Sequence, residues 1–140
     1  MANDAGATIV IAYQSTTFAK TKPDVYMARF ADLLHELVVG DHYTNVRWIS
    51  IGNEPNSTNL TLQQYEAIYR ALDAQLRVRG IRGQIDLMGG DLVQNTEDTP
   101  NGHRAWFDYM VGHMNDVLER RADGTGDNRV ARVRPGRGAG

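Results

Sequence analysis

The sequence predicts an α/β fold of three consecutive strand-helix units with parallel strands, and three observations support it. Short apolar runs begin near residues 8, 46 and 84. Each is followed by a longer segment whose apolar residues recur at helical spacing. The units repeat at a pitch of roughly 38 residues, which leaves room for the right-handed helical crossover that parallel neighbours require.

The chain of 140 residues is 41% hydrophobic, has no cysteine and carries a formal net charge of −2. That length can bury one core, while the missing cysteines exclude a disulfide scaffold, a cysteine nucleophile and a thiolate metal site. No apolar run approaches the roughly 18 to 20 residues that span a bilayer, so no membrane partner is expected. The opening MANDAGATIV lacks the order of a secretory signal, and the sequence leaves localisation undefined. The small net charge conceals a division. Residues 1–119 hold 9 basic and 15 acidic side chains, whereas residues 120–140 hold 6 and 2.

Ala7-Thr-Ile-Val-Ile-Ala-Tyr13 reads as a buried strand, closed by the polar stretch Gln14 to Thr17. Pro23 and Asp24 suit a first helical turn, and Tyr26, Phe30, Leu33, Leu34, Leu37 and Val38 form an apolar stripe that Gly40 ends. The second unit has Val46 to Ile51 as strand and Gly52 to Asn59 as a turn-rich loop. Thr61 and Gln64 then form a capping box before the stripe Leu62, Tyr65, Tyr69, Leu72 and Leu76, stopped by Gly80. In the third unit Gln84 to Met88 is the strand and Gly89-Gly90-Asp91 its exit. Its helical stripe is Trp106, Phe107, Met110, Val111, Met114 and Leu118.

The stretch Val46-Arg-Trp-Ile-Ser-Ile-Gly-Asn-Glu-Pro-Asn56 is the most informative, because a carboxylate follows directly on a buried strand. Function at parallel sheets collects at that end of the strands. Strict alternation would place Glu54 on one face with Gly52, Ser50 and Trp48, while Ile49 and Ile51 point at the helices. Pro55 favours extended backbone at Glu54 and stiffens its approach, and the Asn53 amide beside it can both donate and accept hydrogen bonds.

The Asn-Glu-Pro triplet, preceded by Trp-Ile-Ser-Ile-Gly and followed by Asn56, resembles the fourth-strand motif of the clan A retaining glycoside hydrolases. Families 5 and 39, cellulase-like and xylosidase-like (β/α)8 barrels, are closest. The resemblance covers residues 7–119 as the third, fourth and fifth units of such a barrel, so the expected fold is a partial TIM barrel. It implies that Glu54 is the general acid/base and that Asn53 binds the sugar 2-hydroxyl. Asp91, Gln14 and Trp48 are further candidates for sugar contacts, with the tail of the third strand placing Asp91 on the same rim as Glu54. Retaining hydrolysis also needs a nucleophilic carboxylate about 5 to 5.5 Å away. In clan A that glutamate ends the seventh strand, which has no counterpart here, so the isolated chain is expected to be inactive. The alternative is a non-catalytic α/β module that binds a carbohydrate or a protein, and a third possibility is a site shared across a homodimer.

No cofactor is implied. The four histidines lack the i, i+4 spacing that clamps zinc, and no glycine-rich phosphate loop is present. Residues 120–140 contain no aromatic residue, leucine or isoleucine and are expected to be a disordered basic Gly/Arg-rich tail. Its composition fits GC-rich codons read out of frame, with a genuine linker as the alternative. Nucleic acid is not an expected partner, since no aromatic interleaves with the arginines and the body is acidic. The open edges of a three-stranded sheet are expected to favour self-association.

Overall fold

The structure, a computed structural model, describes residues 6–89, 92–93 and 102–118. Its sheet has three parallel strands in sequential order, β1 (Ile9–Tyr13), β2 (Val46–Ile51) and β3 (Asp86–Met88). A four-residue helix α1 (Thr16–Ala19) and the longer α2 (Pro23–His35) join the first two strands. Helix α3 (Leu62–Val78) joins the second and third, and α4 (His103–His113) follows β3. The protein is therefore mixed α/β with a parallel sheet. The expected disordered tail, and Asp91 with it, lie outside the described residues.

Sequential strand order with crossovers of one hand places the connecting helices on the same face of the sheet. The register aligns Ile11, Ile49 and Leu87 across that face, with Tyr13 and Ile51 one step on. Ile49, Ile51 and Leu87 are fully buried with Met27, Phe30 and Leu34 of α2 and Tyr65, Ile68, Leu72 and Leu76 of α3. The opposite face carries Val10, Trp48 and Asp86, then Ala12, Ser50 and Met88. It is more open, with Val10 53% exposed. A bulge sets two residues of β2, Arg47 and Trp48, against one step of β1. There Arg47 Nε meets the buried Asp86 carboxylate at 2.7 Å.

Several boundaries differ from the sequence reading. Helix α1 occupies a stretch read as polar loop, held by Ala19 N–H donating to the Ser15 carbonyl. The first long helix widens after His35 into a π-helical turn over Glu36–Gly40, closed by Asp41 N–H on the Glu36 carbonyl at 2.7 Å. Leu33, assigned to the apolar stripe, is 52% exposed. The buried row is Met27, Phe30, Ala31, Leu34 and Val38, and Leu33 stands about 100° off its neighbour Leu34. Strand β3 starts two residues later than expected because Gln84 N–H bonds back to Ile81 in a turn. Helix α4 ends at His113 rather than Leu118, although Met114, Val117 and Leu118 remain in the core. The capping box forms as read, with Gln64 N–H on Thr61 Oγ1 at 3.1 Å and Thr61 N–H on Gln64 Oε1 at 3.0 Å.

The β2 and β3 ends are joined by a side chain. Tyr69 accepts a hydrogen bond from Ile51 N–H at 2.9 Å and donates its own proton to the Met88 carbonyl at 2.5 Å. Its hydroxyl thus bridges the two strands where the ladder runs out. Tyr65 lies 3.2 Å away and, with the Tyr69 proton already committed, is the donor in that contact. Replacing Tyr69 by Phe should leave the Ile51 amide buried without its partner and lower the unfolding free energy by about 1 to 3 kcal/mol. Urea titration followed by circular dichroism measures this, and an unchanged midpoint would show that the bridge contributes nothing.

Helix α4 is fastened to α3 by polar groups as well as by Trp106, whose ring lies 5.2 Å from that of Tyr65. Arg70 donates to Glu66 at 2.7 Å, to both oxygens of Asp116 at 2.9 and 3.2 Å, and to the His113 carbonyl at 2.8 Å. Tyr109 donates to the other Glu66 oxygen at 2.6 Å and stacks on His113. Burial raises the Glu66 carboxyl, but the hydrogen bonds from Tyr109 and Arg70 outweigh it and hold the group below its ordinary 4.5. The bond to Glu66, followed by burial, pushes the Tyr109 hydroxyl up to about 12. Both shifts link this contact to pH. The lowered carboxylate contributes stability that is present above pH 4.5 and lost as pH falls through its folded value. The raised phenol contributes stability that is complete below its ordinary 10 and lost as pH climbs to about 12. Unfolding midpoints measured across pH should therefore fall at both ends, and Tyr109→Phe should flatten the alkaline arm between 10 and 12.

Candidate functional site

The rim formed by the C-terminal ends of the strands gathers part of the predicted site. Gly52 N–H donates to the Tyr13 carbonyl at 2.7 Å, so Gln14 and the Gly52–Glu54 segment leave the sheet side by side. Gln14, Asn53 and Glu54 are all exposed there. Trp48 is elsewhere. It lies three residues before the end of β2, about 10 Å below the rim, and pairs in register with Val10 and Asp86. Half-buried on the open sheet face, it is not brought together with Glu54.

The approach of Glu54 also differs from the expectation. Strand geometry stops at Ile51, Gly52 turns with φ +74°, and Glu54 itself is left-handed with φ +46° and ψ +53°. The side chain therefore does not continue the alternation of Trp48 and Ser50, and Pro55 does not hold it extended. The reason is local. Proline disfavours the right-handed helical region at the residue before it, yet the chain must reverse into a short 3₁₀ turn over Pro55–Ser57. With φ positive, the Glu54 carbonyl accepts from Ser57 N–H and from Ser57 Oγ, both at 2.8 Å. Thr58 Oγ1 donates to the Pro55 carbonyl at 2.7 Å and closes the next step. Left-handed backbone at a residue with a Cβ costs roughly 1 to 2 kcal/mol, and such strain concentrates at functional sites.

Asn56 anchors the turn. Only 2% exposed, it donates from Nδ2 to the Val93 carbonyl and accepts Val93 N–H on Oδ1, both at 2.9 Å. The two bonds reproduce a strand-like pairing between the loop carrying Glu54 and the segment leaving β3. The sequence reading placed Asn56 only as the end of a motif, although a buried amide that must satisfy donor and acceptor together is what this geometry needs. On the other side, Thr16 packs where a Cβ on Gly52 would lie 3.5 Å from its Cγ2, and Lys20 Nζ donates to the Asn59 carbonyl at 2.6 Å. The Glu54 loop is thus held from both flanks.

Chemically, the rim offers an open carboxylate, an amide and a glutamine above a parallel sheet. Asp86, the buried acid of β3, is paired with Arg47 near the other end of the strands. Among the described residues no cluster of three His, Asp or Glu side chains could hold a metal ion, and no helix is long and apolar enough to cross a membrane. No family model, curated protein or solved structure matches this chain.

Because glycine occupies the left-handed region freely, Glu54→Gly should relieve the strain and, after its extra unfolded-state entropy, raise stability by about 0.5 to 1 kcal/mol. Glu54→Val should lower it by more than about 1 kcal/mol, since a β-branched residue tolerates positive φ least. Thermal unfolding of the two variants tests this, and equal midpoints would show that the turn relaxes without cost.

Proposed function

We propose that the chain is part of the catalytic barrel of a retaining glycoside hydrolase, with Glu54 as general acid/base and Asn53 on the sugar 2-hydroxyl. The observation that carries the reading is Asn53-Glu54-Pro55 at the exit of the middle strand, held rigid by Asn56 and exposing its carboxylate at the rim. Supporting it is the sequential order β1-β2-β3, the order of a singly wound barrel; a doubly wound sheet reverses order at its ligand crevice. At a pitch of roughly 38 residues three of eight units are accounted for, and a barrel of about 250 residues needs the others.

In this mechanism Glu54 protonates the departing glycosidic oxygen while a second carboxylate attacks the anomeric carbon. Glu54 then takes a proton from the water that releases the sugar from that carboxylate. The nucleophile comes from a unit that this chain does not provide, and the isolated chain binds sugar without cleaving it. Calorimetric titration with cellohexaose and xylohexaose should show binding of at least one, weakened about tenfold by Asn53→Ala. Aryl glycosides should show negligible turnover. Absence of any sugar binding would remove the reading, and robust turnover abolished by Glu54→Gln would show that the chain holds a complete site.

A further inference from the structure

Phe18 is a large apolar side chain left 61% exposed at the strand-exit end, on the short helix α1. Thr16 and Ala19 of the same helix are buried. Helix α1 therefore turns its small side chains inward and holds a phenyl ring outward, an arrangement that costs apolar exposure. The ring is not loose. It stacks on Tyr26 with centroids 6.2 Å apart and planes inclined by 27°, and the Arg29 guanidinium lies over the Tyr26 ring at 5.9 Å. The Phe18 carbonyl accepts from Thr21 N–H at 3.1 Å and from Thr21 Oγ1 at 2.7 Å, which fixes the backbone beneath it.

This platform is continuous with the Glu54 loop. Helix α1 meets that loop through Thr16 against Gly52 and through Lys20 Nζ on the Asn59 carbonyl. We infer that Phe18, backed by Tyr26, is a stacking subsite for a pyranose ring of an extended carbohydrate chain whose next residues run toward Asn53 and Glu54. For the class of ligand it rests on the proposed glycoside hydrolase reading; its position is new.

The chemistry favours a sugar over other stacking partners. A pyranose presents an apolar C–H face with hydroxyls around its edge, and Phe18 presents an apolar ring beside the exposed Thr17, Thr21 and Lys22. A nucleobase would also stack, but it brings a phosphate backbone to a body whose residues 1–119 carry an excess of six acidic side chains. A platform already ordered by Tyr26 and Thr21 loses little freedom when it is covered.

Cellohexaose and xylohexaose are titrated calorimetrically into the whole chain and into Phe18→Ala, Phe18→Trp and Asn53→Ala. Circular dichroism should show unchanged folding in the Phe18 variants. Phe18→Ala should weaken binding about tenfold, and Phe18→Trp should retain or tighten it. Loss in Asn53→Ala with no change in Phe18→Ala would overturn the platform and leave the Asn53 reading standing. Loss in Phe18→Ala with none in Asn53→Ala would support the platform and overturn the catalytic rim. Failure of both sugars to bind, or Phe18-dependent binding of a thymidine oligonucleotide in their place, would overturn the proposal.

Discussion

The end of the sheet depends on the Tyr69 hydroxyl. Where a parallel ladder ends, backbone amides and carbonyls lose their strand partners and must be satisfied by other groups. Tyr69 resolves this between β2 and β3 by accepting from Ile51 and donating to Met88. Because Tyr69 belongs to α3, the helix that follows β2, the same residue fixes the height of that helix against the sheet. Tyr65, one turn earlier, makes a third hydrogen bond with the Tyr69 hydroxyl and packs on Trp106 of α4. A polar contact between two strands is thus continuous with the aromatic core that docks the last helix.

Immediately beyond Ile51, where Tyr69 ends its control, the chain passes to Asn56. The two residues act in sequence on the same pair of segments, since Tyr69 ties β2 to Met88 and Asn56 ties the following loop to Val93. Between these ties stand the only residues of the motif that are exposed, Asn53 and Glu54, with Pro55 buried behind them. Positive φ at Glu54 falls in a turn whose two ends are fixed, at Ile51 by Tyr69 and at Asn56 by Val93.

Much of the fold was legible because it follows from periodicity. The β2 boundaries, the α3 capping box and the buried row of Tyr65, Tyr69, Leu72 and Leu76 agree with hydrophobic spacing and cap chemistry. What escaped was set by tertiary contact. Helix α1 has no stripe of its own and forms because Thr16 and Ala19 find cover, while the π-helical turn at Glu36–Gly40 appears in no local pattern. At the candidate site, the sequence singled out Asn53 and Glu54 and placed Trp48 and Ser50 on the face that the register shows, but it extrapolated strand alternation past its last residue and so misplaced the Glu54 backbone. A glycine at position 52 was the warning, since glycine after a strand marks where alternation stops. Asn56 and Tyr69 were visible as residue types. Their bonds to Val93 and Met88 span 37 and 19 residues and lie beyond any local reading.

The exposure of Glu54 also defines what a complete site would have to add. A carboxylic acid that donates a proton near neutral pH is kept protonated by an apolar enclosure or by a second carboxylate close by. Glu54 is exposed at the rim, whereas the adjoining Pro55 and Asn56 are buried. In the proposed barrel one neighbouring element would meet both needs at once, by walling off the open side and by bringing the nucleophile to about 5 Å. Enclosure and the attacking carboxylate would then arrive together. On the proposed function, binding without turnover would follow from the absence of that attacking carboxylate beside Glu54.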